Sequence, residues 1–121
     1  MLTFKEEKDW QRWRSGLTNR DNANQHVRDW ITLFNALSEQ ITGKSAVVTS
    51  WYRDKLAHKG GNAVDFRRLS GANKRFPKYT QKDAESLEQA AVAIGIPVVV
   101  IYRGLAAEHW HCGEVATLAH E

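Results

Sequence analysis

The sequence predicts an α+β domain: a small mixed or antiparallel sheet packed by N-terminal helices and one later helix. Three observations carry this prediction. Apolar residues recur at helical spacing over 27–41, a capped helix opens at Thr80, and β-branched runs occupy Ala46 to Trp51 and Ile96 to Tyr102. With 121 residues, 42% of them hydrophobic, the chain has room for one core, so residues 1–121 are expected to form a single domain.

Each element has its own local signal. Phe4 to Arg14 is charged, with Trp10 and Trp13 three apart, which suits a short amphipathic helix laying two indoles on the core. Ser15 to Asn24 reads as a polar loop, with Asn22 or Asn24 placed to cap the next helix. In that helix Val27, Trp30, Ile31, Phe34, Leu37 and Ile41 share one face, and Gly43 ends it. Ala46 to Trp51 is a strand leaving the core, and Asn62 to Phe66 is a second. Between them, Lys59-Gly60-Gly61 breaks any helix. Arg67 to Lys82 holds six basic residues and no acidic one, and Ser70, Gly71, Asn73 and Pro77 mark it as a loop. Thr80 and Asp83 form a capping-box variant opening a helix with Ala84, Leu87, Ala91 and Ile94 inward, stopped by Gly95 and Pro97. Ile96 to Tyr102 is apolar throughout and reads as a central buried strand, and His109 to Cys112 as a further short strand after a turn at Gly104.

Composition excludes several classes of chemistry. Cys112 is the only cysteine, so no intrachain disulfide, CxxC pair or thiolate-rich zinc finger can form. A metal would be held by His, Asp or Glu. No apolar run reaches the length of a membrane span, and the charged N-terminal residues lack the apolar centre of a signal peptide. The net charge of +3 is too small to demand nucleic acid, and no RRM, KH, helix-turn-helix or zinc-finger pattern is present.

His58, Asp65, Glu108, His109 and His111 sit in two glycine-flanked segments at the ends of expected strands, where ligands usually gather. A tight glycine turn can bring His58 and Asp65 to one point, supplying two of the three protein ligands of an open zinc site. The third would come from Glu108-His109-Trp110-His111. There His109 and His111 alternate onto one face of a strand, whereas Glu108 and His111 share a face only if the strand bends or begins between them. Spacing alone does not choose between these pairs.

The run His58-Lys59-Gly60-Gly61-Asn62-Ala63-Val64-Asp65 resembles the HxxGxAxD motif of the D-alanyl-D-alanine carboxypeptidase and dipeptidase family of zinc metallopeptidases. Glu108-His109-Trp110-His111 resembles that family's ExWH motif, and Thr49-Ser50-Trp51-Tyr52-Arg53 its TSGYR segment. The three stand in the family's order, within a stretch of about residues 27–113. This family includes endopeptidases of bacteriophage lysis systems and shares its fold with the hedgehog signalling domain.

The resemblance implies that His58, Asp65 and His111 bind Zn2+, that Glu108 is the catalytic base, and that Arg53 faces the scissile carbonyl or a substrate carboxylate. It takes His109 out of the ligand set. Such a site would acidify water from a pKa of 15.7 toward roughly 7, with general acid-base transfer contributing roughly 10² to 10⁴ in rate. The implied substrate is a peptidoglycan stem peptide, cut at L-Ala-D-Glu or D-Ala-D-Ala. The implied setting is synthesis in the cytoplasm without a Sec signal and action on the cell wall after release, or as part of a phage particle. A monomer is the default expectation.

Three positions depart from the family pattern: Trp51 stands where a glycine is usual, Leu56 where a serine is usual, and only Asp54 to Ala57 separate Arg53 from His58. The shorter loop implies a reshaped cleft, and it motivates a second expectation, a zinc-stabilised module that binds an anionic polymer or protein partner without turnover. The basic loop of Arg67, Arg68, Lys74, Arg75, Lys78 and Lys82 is expected to be a solvated flank of the site, with Phe76 and Tyr79 interleaved. Trp10, Trp13 and Trp30 are expected in the core, and Cys112 is expected to be a small buried hydrophobe.

Overall fold

A computed structural model of the chain describes residues 1–15, 22–52, 61–69 and 79–113. In chain order these form β1 (Thr3–Phe4), α1 (Glu7–Ser15), α2 (Asn22–Thr42), β2 (Val47–Ser50), β3 (Ala63–Arg67), α3 (Gln81–Ala93), β4 (Val98–Ile101) and β5 (His109–Gly113). The five strands make one mixed sheet in the order β1-β2-β3-β5-β4. Only the β1–β2 pair is parallel. The α+β class and the mixed sheet agree with the sequence reading.

Helix α2 buries Val27, Ile31 and Phe34, spaced four and three apart, against the sheet. Phe34 stacks on Phe66 at 4.1 Å between ring centroids and meets Trp110 edge-on at 5.1 Å. Trp30 and Leu37 flank this stripe half-buried, and Ile41 is exposed. Gly43 follows the last turn at φ +73°, a conformation that glycine adopts without strain. Helix α3 opens as the sequence predicts: the Thr80 side chain accepts the Asp83 N–H at 3.0 Å. It buries Ala84, Leu87 and Ala91 on the same core. Gly95, at φ +88°, turns the chain out of the helix.

Along β3 and β5 the side chains alternate. Val64, Phe66, Trp110 and Cys112 join α2 and α3 in the core, whereas Ala63, Asp65, Arg67, His109, His111 and Gly113 point to the other face. Each group of like-facing residues is paired across the strands, Val64 with Cys112, Phe66 with Trp110 and Asp65 with His111.

Several sequence expectations are corrected. Phe4 belongs to a two-residue strand rather than to the first helix; Thr3 and Lys5 donate their N–H groups to the Ala46 and Val48 carbonyls at 3.1 and 2.8 Å. A two-residue strand carries no periodicity to read. Strand β4 is at the edge of the sheet, not its centre, and β5 takes the interior place. Val98 and Val100 face the core and Val99 and Ile101 the other side, so an unbroken apolar run does not here mean a central strand. The basic stretch is not wholly a solvated loop either: Arg67 ends β3, and Arg67 and Arg68 are both buried. Tyr79 is a core residue, edge-on to Trp110 at 5.6 Å, rather than part of a solvated flank. Lys74, Arg75, Phe76 and Lys78 lie outside the described residues. No described helix is long and apolar enough to cross a membrane.

Candidate metal centre

Strand β3 is held at both ends of the segment that matters. The Trp51 indole N–H donates to the Gly61 carbonyl at 3.0 Å, and Gly61 itself takes φ +81° just before the strand. Thr49 Oγ1 donates to the Asp65 carbonyl at 3.3 Å, and Ser50 stands opposite Asp65 in register.

The antiparallel register with β5 places His111 directly across from Asp65. His111 Nδ1 lies 3.0 Å from Asp65 Oδ1, with both side chains buried. The other carboxylate oxygen, Oδ2, lies 3.6 Å from His109 Nε2. His109 Nδ1 donates to the Ala107 carbonyl at 2.7 Å, since a carbonyl can only accept. Asp65 therefore stands between two imidazoles, and both members of the HxH pair point to its face. Gly113 lies close to the His111 ring: a Cβ added there would come within 3.5 Å of His111 Nε2 and 3.0 Å of Ala63 Cβ.

Glu108 has different company. Strand β5 begins at His109, between Glu108 and His111, yet the Glu108 carboxylate turns to Arg68 and to the Gly104 N–H. Arg68 Nε also lies 3.7 Å from Glu88 Oε1 of α3, and its guanidinium sits 5.9 Å over the Trp110 ring. Trp110 Nε1–H donates to the same Glu88 oxygen at 3.2 Å, and Arg103 Nη2 approaches the other at 3.9 Å. Burial pushes the Glu108 carboxyl up, but the Gly104 N–H, Arg68 and Arg103 outweigh it and hold the carboxyl below the usual glutamate range.

The structure thus brings Asp65, His111 and His109 together and places Glu108 with Arg68. Arg53 and His58 lie outside the described residues. Cys112 is fully buried on the core face, and desolvation raises its thiol above the usual range, as suits a small hydrophobe. Sequence reasoning missed Arg68 as the partner of Glu108. Its signal was there: pairing the two motifs antiparallel through Asp65 and His111 sets residue 68 opposite residue 108.

Among the described residues no three His, Cys, Asp or Glu side chains gather into a metal-binding group. Asp65 and His111 nonetheless have the chemistry of zinc ligands. Two donors each about 2.0 to 2.2 Å from a tetrahedral zinc stand about 3.3 to 3.6 Å apart; the observed 3.0 Å is the shorter spacing of a direct hydrogen bond. The donor atoms of the pair are of the types that a zinc ion takes. No family model, curated protein or solved structure matches the chain.

Proposed function

We propose that the protein is a zinc-dependent peptidase of the D-alanyl-D-alanine carboxypeptidase and dipeptidase type, with the hedgehog-like fold of that family. It hydrolyses a peptide bond in peptidoglycan stem peptides, in phage-associated lysis of the cell wall. The observation that carries the reading is the in-register meeting of Asp65 and His111, the aspartate of the first motif and the last histidine of the second, at 3.0 Å. His58, Asp65 and His111 would hold the ion. Zinc, when bound, supplies Lewis-acid polarisation of the scissile carbonyl and acidification of water. In this reading Glu108 takes the proton of the attacking water and delivers it to the leaving amine, and Arg53 binds the developing oxyanion or a substrate carboxylate.

A specific observation favours the second reading, a zinc-stabilised binding module. The Glu108 carboxylate is held by Arg68 and by the Gly104 N–H in a buried ion pair of the kind that stabilises a fold. Digestion of purified peptidoglycan by wild type and Glu108→Gln, with fragments read by mass spectrometry, separates the two. New amino termini from wild type only, with zinc in both proteins, support the peptidase. Zinc in both and cleavage by neither favours the module.

A further inference from the structure

The β3–β5 ladder sets Asp65 against His111 and Arg67 against His109. One more step of the same antiparallel register sets Arg68 against Glu108, and there the two side chains form an ion pair. Arg68 and Glu108 stand just past the paired residues of the two strands, and Glu88 of α3 meets the same arginine. Both partners are almost wholly out of water: the Arg68 side chain is 1% exposed and that of Glu108 6%. Among the described residues, Nη1 is the only nitrogen of the guanidinium that makes a hydrogen bond, and that bond goes to Glu108.

We propose that Arg68 is a positioning residue for Glu108: its buried guanidinium fixes the direction of the carboxylate and keeps it charged. The strength of the base would thereby be set from the helix-covered side of the sheet. The inference rests on the reading of Glu108 as proton acceptor. Three features support it.

The grip is two-sided, because the Gly104 N–H occupies the other carboxylate oxygen. Each oxygen with one hydrogen bond keeps a second lone-pair site, so Glu108 can take a proton without leaving Arg68. The arginine is itself held from behind. Glu88 sits 3.7 Å from Arg68 Nε, accepts from Trp110 Nε1 and stands 3.9 Å from Arg103, and the Trp110 ring lies beneath the guanidinium. Finally, two arginines and two glutamates balance in charge. Glu88 and Glu108 share Arg68, so a change of charge at one is felt at the other.

The test is a carbon-13 NMR titration of the glutamate side-chain carboxyls in wild type, Arg68→Met, Arg68→Lys and Glu88→Gln, with Glu108 assigned from Glu108→Gln. Peptidoglycan digestion is measured over the same pH range. In wild type, Glu108 should titrate below the ordinary glutamate range. Arg68→Met should raise its midpoint by about one pH unit or more, the reverse of what a neighbouring arginine does to a carboxylate, and Arg68→Lys should recover part of that rise. Glu88→Gln removes a competing negative charge and should move the midpoint down. The acid limb of hydrolysis should track the NMR midpoint in each variant.

If Arg68→Met does not fold, Arg68→Lys and Glu88→Gln decide the matter. Midpoints unmoved in the folded variants overturn the role of Arg68. Failure of the wild type to cleave peptidoglycan would instead overturn the peptidase reading, while the titration still reports whether Arg68 governs Glu108.

Discussion

Asp65 and His111, 46 residues apart in sequence, stand opposite each other on β3 and β5 with His111 Nδ1 3.0 Å from Asp65 Oδ1. Alternation along both strands then separates two duties. Val64, Phe66, Trp110 and Cys112 build the core, while Asp65, His109 and His111 form the candidate centre on the other side. Changes on one face should leave the other face's property intact.

Phe34 tests the core side of that division. It is fully buried, stacked on Phe66 at 4.1 Å and edge-on to Trp110. Phe34→Ala should lower unfolding free energy by about 3 to 5 kcal/mol, the usual cost of emptying an aromatic site. Urea denaturation measures the loss. Zinc content of the folded fraction should not change.

Asp9 secures the backbone of Trp51 and Tyr52. It is fully buried in α1, and its Oδ2 and Oδ1 accept the N–H groups of Trp51 and Tyr52 at 3.0 and 2.9 Å. Asp9→Ala leaves both donors without this acceptor and should cost about 3 kcal/mol at pH 7. Burial raises the Asp9 carboxyl above its usual range, against the two backbone N–H groups that pull it down. With the folded value above the unfolded one, the stability linked to its protonation is full below pH about 3.9 and is lost as pH rises through the raised value. Asp9→Asn should lack this slope in a pH series of unfolding curves.

Tyr79 contributes to the alkaline limit. Its hydroxyl shares a hydrogen bond with Ser38 and reaches the Ser45 carbonyl at 3.2 Å, and burial pushes it up to about 12. Its folded value exceeds its unfolded one, so its contribution is full below pH about 10 and is lost as pH rises through about 12. The loss should amount to about 3 kcal/mol, at 1.36 kcal/mol per pH unit. Tyr79→Phe should be less stable by about 1 kcal/mol at neutral pH and lack that alkaline loss, as monitored by circular dichroism.

Much of this fold was legible in the sequence where one local signal sufficed. The apolar series from Val27 to Phe34, the Thr80 cap and the glycines at 43 and 95 each act within a few residues, and α2 and α3 stand where they predict. The features that escaped depend on partners distant in the chain. Strand β1 exists because β2 offers it carbonyls, and the edge place of β4 arises because β5 pairs with β3 as well. Of the candidate site, the pairing of one residue from each motif was legible. Motif resemblance joined Asp65 to His111, and the register brings them together. Arg68 read as a loop cation because its meeting with Glu108, one step past the end of the β3–β5 ladder, depends on that pairing and not on its neighbours in sequence.

That Asp65 and His111 hold a zinc ion is tested most directly by titrating zinc into chelator-stripped protein by calorimetry, for wild type, Asp65→Asn and His111→Ala. The expected result is about one zinc per wild-type chain, with affinity weakened at least 100-fold in both variants while circular dichroism shows them folded. Undiminished binding in the folded variants, or no zinc bound by the wild type, would contradict it.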